Sequence, residues 1–585
     1  MSQTSKHRYH IGARCSCCHY CFNECPVQAI KFVGTSYEID EAKCIQCGKC
    51  ASVCPTGVCY DLLEKKEIQV HDPIVRDAEV VVLGAGGAGL VAAVRAAQLT
   101  GKKVVVLEKA KKHGGCTNLG HGFFPYYSKW HQEAGCEDTR EEQIEMAYAR
   151  SEGHFDKALL RKTIYGVGDM FDWMIEFGGW EKWFTRKVTM PNPNAAPAPA
   201  GPMGGGKGPR LEIDFPERTK NEKSLDHAMG PGFMGTYVVD LMMEQCEKMG
   251  IEVFFECPAT ELKLDAEGRF AQAIGTDPGG QVIINAKACI IATGGFAHND
   301  KLFRQVNPKA FEGIPAKRLS VWSDTGDGMA LVEPLGGYVC LDDDHVRAPA
   351  GGPLHHPYNY TLVGMSLSAE PIVDNNGKRV PIELGRRANL DEIPNCVVYS
   401  ILDQDGADKN GQARYDDDRD HTTHGHEAHL HWQEALDYES SLGFPCRKAW
   451  TLEELAEKIG CDPDDFKQTI ADYNAWLETY DGPTESPKGT LGVFSRHPVV
   501  KPPFYAITLL RFNESASGGI MIDENFRVRK QDSEDVIPGI YAVGDAASGI
   551  FCNQKYGGGS VGELNWAMAS GFYAGDEAAA YVSGQ

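Results

Sequence analysis

The tightest constraint on this chain is a cysteine spacing. Cys15, Cys18, Cys21 and Cys25, followed by Pro26, form Cys-x2-Cys-x2-Cys-x3-Cys-Pro, and Cys44, Cys47, Cys50 and Cys54 with Pro55 repeat it. Three thiolates at intervals of three residues wrap one face of an iron–sulfur cubane, while the fourth, held off by its proline, ligates the other cluster. The repeat predicts two [4Fe-4S] centres: one on Cys15, Cys18, Cys21 and Cys54, the other on Cys44, Cys47, Cys50 and Cys25. Disulfides or a zinc ribbon would need other spacings or an oxidising compartment. Ten of the 20 cysteines fall in the first 60 residues, so one short segment is specialised. Cys17 and Cys59 lie outside the pattern and read as packing thiols. Such a head carries single electrons and does no bond chemistry alone.

A second signal follows a short polar bridge. The apolar run Glu79–Leu83 ends in Gly84-Ala-Gly86-Gly87-Ala-Gly89, a small-residue helix follows, and a second run, Lys103–Leu107, closes on Glu108. Strand, glycine turn, helix, strand and acid make one βαβ unit. Its backbone amides approach a pyrophosphate at the helix N-terminus, and Glu108 accepts hydrogen bonds from the adenosine ribose. Further on come Lys109, His113, Gly114-Gly115-Cys116-Thr117-Asn118, then Ala292-Thr-Gly294-Gly295, Thr325-Gly-Asp-Gly328, Gly518-Gly-Ile-Met-Ile-Asp523 and the Gly544-Asp545 that ends Ile537–Asp545.

In this order the motifs resemble the fumarate reductase and succinate dehydrogenase flavoprotein superfamily over roughly residues 76 to 585, and the cysteine head resembles bacterial two-cluster ferredoxins over about residues 8 to 60. The resemblance implies an α/β protein: a Rossmann-type FAD-binding domain with an inserted α+β capping domain, preceded by a small ferredoxin-like α+β domain. The expected bounds are 1–65 for the head, 76–305 and 500–585 for the two parts of the FAD domain, and 306–499 for the cap. The implied cofactor-binding residues are Gly84, Gly86, Gly87, Gly89, Glu108, Lys109, Gly114, Gly115, Cys116, Thr117, Asn118, Gly294, Asp545 and Ser560, with Asp545 beside the ribityl chain or pyrophosphate. Members of membrane complexes attach FAD through a histidine in a Ser-His-Thr context. That context is missing, so FAD is expected to be non-covalent and His113 a turn residue. A single dinucleotide fingerprint leaves no NAD(P)H domain, so electrons are expected to enter through the head from a separate donor protein: a ferredoxin, a flavodoxin or an NAD(P)H-oxidising partner. Lys6, Arg8 and Arg14 offer a basic edge for an acidic donor.

Reductases of this superfamily pass hydride from flavin N5 to one carbon of an activated double bond and a proton from an arginine to its neighbour. The arginine follows a Gly-Lys-Arg turn in the cap, which makes Arg387 the expected proton donor and Arg386 the fallback. Because a guanidinium is a poor acid, Glu383 is the expected relay. His356, beside His355, matches the substrate-binding His-Pro. Two positions depart from the fumarate pattern: Ser515 stands where fumarate reductases place a histidine, and Lys555 where they place an arginine. Lysine is a point charge and cannot clamp a planar carboxylate bidentately, so a dicarboxylate substrate is disfavoured. Tyr556 beside a glycine run resembles instead the ketosteroid dehydrogenase branch, where a tyrosine polarises a ketone; Ser560 interrupts that run. An unsaturated acid or ketone is the expected substrate. The competing readings are the reverse desaturation of a ketone or acid, and an electron-relay subunit of a larger redox complex.

Charge and hydropathy narrow the partners. A formal charge of −23 repels a phosphate backbone and excludes general nucleic-acid binding. No run approaches the roughly 18 apolar residues of a membrane span, and the first residues lack a signal peptide's apolar core, so a cytoplasmic location is expected. Residues 190–209 form a Pro/Gly/Ala insertion that reads as a surface loop, and His421, His424, His426, His429 and His431 read as a solvated polar segment without fixed metal geometry.

Overall fold

The computed structural model describes residues 8–12, 15, 20–33, 36–54, 57–63, 68–120, 125–150, 153, 155–190, 209–214, 234–306, 308, 317–318, 320–341, 346–347, 350–351, 369–380, 397–415, 436–437, 440–441, 446–482, 484, 495–513, 515–516, 518–548, 550 and 562–584. Cys18, His355, His356, Glu383, Arg386, Arg387, Lys555, Tyr556, Ser560 and the histidines of 421–431 lie outside these residues.

Val80–Leu83 and Val104–Leu107 are buried at every position, as strands covered on both faces must be. They occupy the middle of a six-stranded sheet ordered Glu252–Phe254, Val104–Leu107, Val80–Leu83, Ala288–Ile291, Val536–Ala542, Arg527–Arg529. The first five strands are parallel and the last is antiparallel. Leu83, Ile291 and Ala542 pair across the sheet, so the carboxyl ends of three strands from distant parts of the chain finish at one level. Each then enters a glycine turn, at Gly84, Gly294 and Gly544. In open α/β sheets that edge is where ligands bind.

Two helices fix this edge. Gly87–Thr100 starts at the first turn, and Glu563–Ser583 crosses it so closely that a methyl group at Gly571 would lie 2.2 Å from Ala88 O. The C-terminal helix also holds the third turn: Trp566 Nε1–H donates to Gly544 O at 2.9 Å, and Gly544 N–H donates to Ser570 Oγ at 2.9 Å. A second sheet of Ala259–Leu264, Phe270–Asp277, Gly280–Asn285 and Ile74–Asp77 adjoins the core.

A third sheet carries Lys317–Arg318, Phe504–Asn513, Val397–Leu402 and Ile372–Asp374, with Ala350–Gly351 and Cys446–Ala449 also on Phe504–Asn513. Its own core packs Phe466, Ile470 and Tyr473 against Val373 and Ile401. Phe504–Asn513 was expected in the FAD domain; its full-length pairing with Val397–Leu402 puts it in the middle of the cap's sheet instead. Sequence could not show this, because register across so long a separation is set by tertiary pairing.

The head pairs Tyr9–Ile11 with Cys59–Asp61 and Ile30–Val33 with Ser36–Ile39, around the short helices Tyr20–Asn23 and Lys49–Val53. The first pair joins the two ends of the head and the second is a hairpin between its two cysteine motifs. Of the expected basic edge, Arg8 is described and pairs within the head, bonding Asp61 at 2.6 Å, while Lys6 and Arg14 lie outside the described residues. Among the described residues no helix is long and apolar enough to cross a membrane.

Candidate functional site

At the carboxyl edge of the main sheet the three turns line a cleft that opens to solvent. Gly84, Gly86, Gly87, Glu108, Lys109, Gly115, Cys116, Thr117, Gly294 and Asp545 line it. Gly84 has φ +108°, and a methyl group there would sit 2.3 Å from Ala292 O, so the turn demands glycine on two counts. A methyl group at Gly86 would meet nothing closer than Gly114 O at 3.9 Å: that backbone faces open space. The positive end of the Gly87–Thr100 helix points at the same space.

Gly89, Gly114 and Asn118 do not line the cleft; they shape it. Gly89 lets the helix start against Gly84 O, 2.0 Å from where a methyl would stand. Gly114 N–H donates to Ala85 O at 2.7 Å, and Asn118 Nδ2–H donates to His113 O at 3.3 Å. Thr117 Oγ1 accepts from Gly87 N–H at 3.0 Å, tying the second glycine turn to the helix start. His113 Nε2 is 2.8 Å from Asp240 Oδ1, consistent with a turn residue.

Glu108 is buried, and both its oxygens are held: Ala85 N–H donates to Oε2 and Ala110 N–H to Oε1, each at 2.6 Å. Burial raises its pKa, and the two amides and the neighbouring Lys109 oppose that shift. A carboxylate offers about four lone-pair positions, so it retains acceptor capacity towards a sugar hydroxyl. Lys109 reaches across the cleft mouth: its ammonium donates to Thr325 Oγ1 at 2.5 Å and pairs with Asp327 Oδ2 at 2.9 Å. The Thr-Gly-Asp-Gly motif therefore enters the site through Lys109.

Sequence reading passed over Asp324 and Ser320, although Asp324 adjoins that motif. Ser320 Oγ–H donates to Asp324 Oδ2 at 2.5 Å, Cys116 Sγ lies 3.3 Å from Ser320 Oγ, and both Asp324 and Ser320 are buried. Burial also pushes the Cys116 thiol up, so it stays protonated. Asp324 Oδ1 and Asp545 Oδ1 are buried on the cleft without a hydrogen-bond partner. Burial, with the negative charge of Asp324, pushes Asp545 up to about 8, and burial pushes Asp324 up to about 6. A glycine cradle at a helix N-terminus, an acid at the end of the second strand and the buried Asp545, whose raised pKa favours the neutral carboxyl, fit FAD: a neutral carboxyl faces a pyrophosphate without like-charge repulsion and can donate to it.

Asp324 and Asp545 give a pH signature. Their folded pKa values lie above the ordinary 3.8, so the folded state binds more protons than the unfolded chain, and stability falls as pH rises from 3.8 towards about 8. Melting temperatures of FAD-depleted protein should decline across that window. Asp545→Asn should flatten the decline; a wild-type profile that rises from pH 5 to pH 8 would contradict it.

In the head, Cys21, Cys50 and Cys54 are buried in one small core, with Cys15 and Cys25 partly buried against it. Backbone N–H groups of Ala29, Gln46 and Cys59 donate to the sulfurs of Cys25, Cys44 and Cys54. Amides aimed at sulfur stabilise thiolates and suit the donor set of a cluster. Among the described residues no three ligating groups converge as for a single ion. A cubane spreads its thiolates over four irons, so it does not require such convergence. Cys59 is buried against Cys50, as a packing thiol.

In the cap, Gly377 N–H donates to Asp374 O at 3.0 Å, and the next two residues are the Lys378 and Arg379 of the Gly-Lys-Arg turn. Arg379 stacks 3.9 Å over Trp476 and, with Arg496, pairs with the fully buried Glu370. The root of the segment that leads to Arg387 is thereby anchored. The backbone of Ser515 pairs with Arg347.

Comparison with known proteins agrees with this geometry. The family model described as FAD binding domain matches residues 79–561, and that described as 4Fe-4S dicluster domain matches residues 14–58. The chain is 26% identical over 521 residues to a urocanate reductase of Eggerthella lenta, covering 86% of this chain and 75% of the relative. It is 23% identical over 520 residues to an NADH:fumarate oxidoreductase of Klebsiella pneumoniae, covering 88% of this chain but about half (49%) of that protein. The solved open conformation of a flavocytochrome c3 fumarate reductase has the same fold, with a TM-score of 0.61 at 21% identity over 87% of this chain and 79% of that one. The sheet edge, its three glycine turns and the match over 79–561 together place the chain in the FAD binding domain family of flavoproteins.

Proposed function

We propose that the chain is an iron–sulfur flavoenzyme that reduces an activated carbon–carbon double bond, with electrons entering through two [4Fe-4S] clusters and FAD held non-covalently. The observation that carries this reading is the FAD-type cleft standing in one chain with a dicluster head. In this reading the chain is an FAD-dependent oxidoreductase acting on CH–CH bonds. FAD, when bound, supplies hydride at N5.

The chain does the rest. The Gly84–Gly87 turn and the positive end of the helix it opens hold the pyrophosphate, with Gly115, Cys116, Thr117 and Gly294 around it; Glu108 accepts from the adenosine ribose, Asp545 binds the ribityl chain or pyrophosphate, and Ser560 adds to the FAD site. Arg387 donates the proton to carbon, and Glu383 resupplies it. His356, Lys555, Ser515 and Tyr556 hold and polarise the activating carboxylate or carbonyl. The capping unit runs from about residue 306 and takes in Phe504–Asn513, which pairs with it. His113, engaged with Asp240 and outside any Ser-His-Thr context, supports non-covalent FAD. Relatives named as a urocanate reductase and an NADH:fumarate oxidoreductase support an unsaturated acid as the substrate class.

Anaerobic purification followed by turnover of enoates and enones with reduced viologen tests the reading. The protein is expected to carry FAD and about eight iron atoms. Persistent recovery of one cluster, or no turnover of any activated alkene, would sink it. Cys18→Ser should abolish electron input from a protein donor while sparing a small dye that enters the cleft.

A further inference from the structure

We propose that Trp322 seats the iron–sulfur head against the FAD cleft, so that electrons cross from the Cys54-bearing cluster to the flavin past this one side chain. The inference rests on the reading of the head as the electron entry. Trp322, half-buried, packs against the head's core, whose members include Cys21, Cys50, Cys54 and Val58. A methyl group at Gly57, three residues beyond Cys54, would lie 3.9 Å from Trp322 Nε1. Its chain neighbours Val321 and Ser323 line the cleft, as does Asp324. One residue thus has its ring in the head and its backbone in the cleft wall.

Neighbouring contacts hold the same junction. Lys112 Nζ donates to Ser52 O at 2.8 Å, next to the Cys50–Cys54 stretch, and the Lys109 ammonium lies 6.0 Å from the Trp322 ring centre. The head is also polarised. Cys21, Cys50 and Cys54 are buried in the core that Trp322 packs against, whereas Cys47 is exposed near Ile45, itself 60% exposed. The exposed Cys47 turns the cluster assigned to Cys44, Cys47, Cys50 and Cys25 towards a donor, and Gly57, three residues beyond Cys54, puts the cluster assigned to Cys15, Cys18, Cys21 and Cys54 next to Trp322.

The balance is simple. A ferredoxin-class carrier gives up one electron per encounter; two electrons and the accompanying proton from solvent reduce bound FAD. Trp322 is neither oxidised nor reduced, and no bond to it forms or breaks. It excludes water and closes the gap across which electrons tunnel.

The test uses cluster- and FAD-loaded full-length chain with no alkene present. Reduced ferredoxin, too large for the cleft, is mixed in a stopped-flow device and flavin bleaching is followed; reduced viologen serves as the bypass. Trp322→Ala should slow ferredoxin-driven bleaching by about tenfold or more, leave viologen-driven bleaching intact and raise hydrogen exchange of residues 57–60 by about 100-fold, as loss of a packed tryptophan does. Trp322→Phe should restore both. If the alanine variant fails to fold, Trp322→Leu keeps an apolar fill and should still slow the ferredoxin route. Unchanged ferredoxin-driven bleaching in either variant, or slowing of both donors alike, would overturn the assignment. An enzyme that reduces no alkene at all would defeat the proposed function without touching this result.

Discussion

Replacing Arg387 by alanine should lower alkene reduction by about 10²- to 10⁴-fold, the contribution a positioned general acid makes, while FAD content and flavin bleaching by viologen persist. The split follows from the chemistry: a proton is delivered to carbon only when substrate is present. The cap supports the assignment through the turn upstream, where Arg379 and Arg496 converge on buried Glu370 and fix the start of the segment that carries Arg387. Lysine at 387 should recover little, since a flexible ammonium does not reproduce a guanidinium's geometry. Normal turnover by Arg387→Ala with a dead Arg386→Ala would move the donor by one residue; activity in both would remove arginine from the mechanism.

The second large effect concerns substrate. In the proposed reading, Ser515 and Lys555 take the places of two anion-binding side chains of the fumarate pattern. Each missing charge-assisted contact is worth on the order of 1.5 to 3 kcal/mol, so a second carboxylate should bind about two to four orders of magnitude more weakly. A monocarboxylic enoate, or a cyclic enone with Tyr556 as donor, should therefore exceed fumarate in kcat/KM. Fumarate as the best of the three would mean that other side chains rebuild the clamp.

Much of this protein is legible from the order of its residues because the signals are local. A cluster-binding loop is specified by thiolates a few residues apart, and a dinucleotide turn by glycines that let amides approach a phosphate. Both declare themselves within a dozen residues, and the buried Val80–Leu83 and Val104–Leu107 strands belong to the second. The same locality leaves the parts played by Gly89, Gly114 and Asn118 undivided. A motif marks a turn as special without saying which of its members face the ligand and which hold the turn's shape.

What only the tertiary structure decided is what depends on distant segments meeting. Leu83, Ile291 and Ala542 end at one level because parallel strands share a register, and that alignment makes one cleft of three glycine turns. Burial on that cleft raises the pKa of both Asp324 and Asp545, an effect invisible in a sequence because it depends on excluded water. Phe504–Asn513 joins the cap because its hydrogen-bonding edge meets Val397–Leu402, whatever the chain boundary suggests. Trp322, unremarked in the sequence, lies between head and cleft only because two separately specified units dock there. Local spacing determined the cofactors this chain is built for; long-range packing determined how they are brought together.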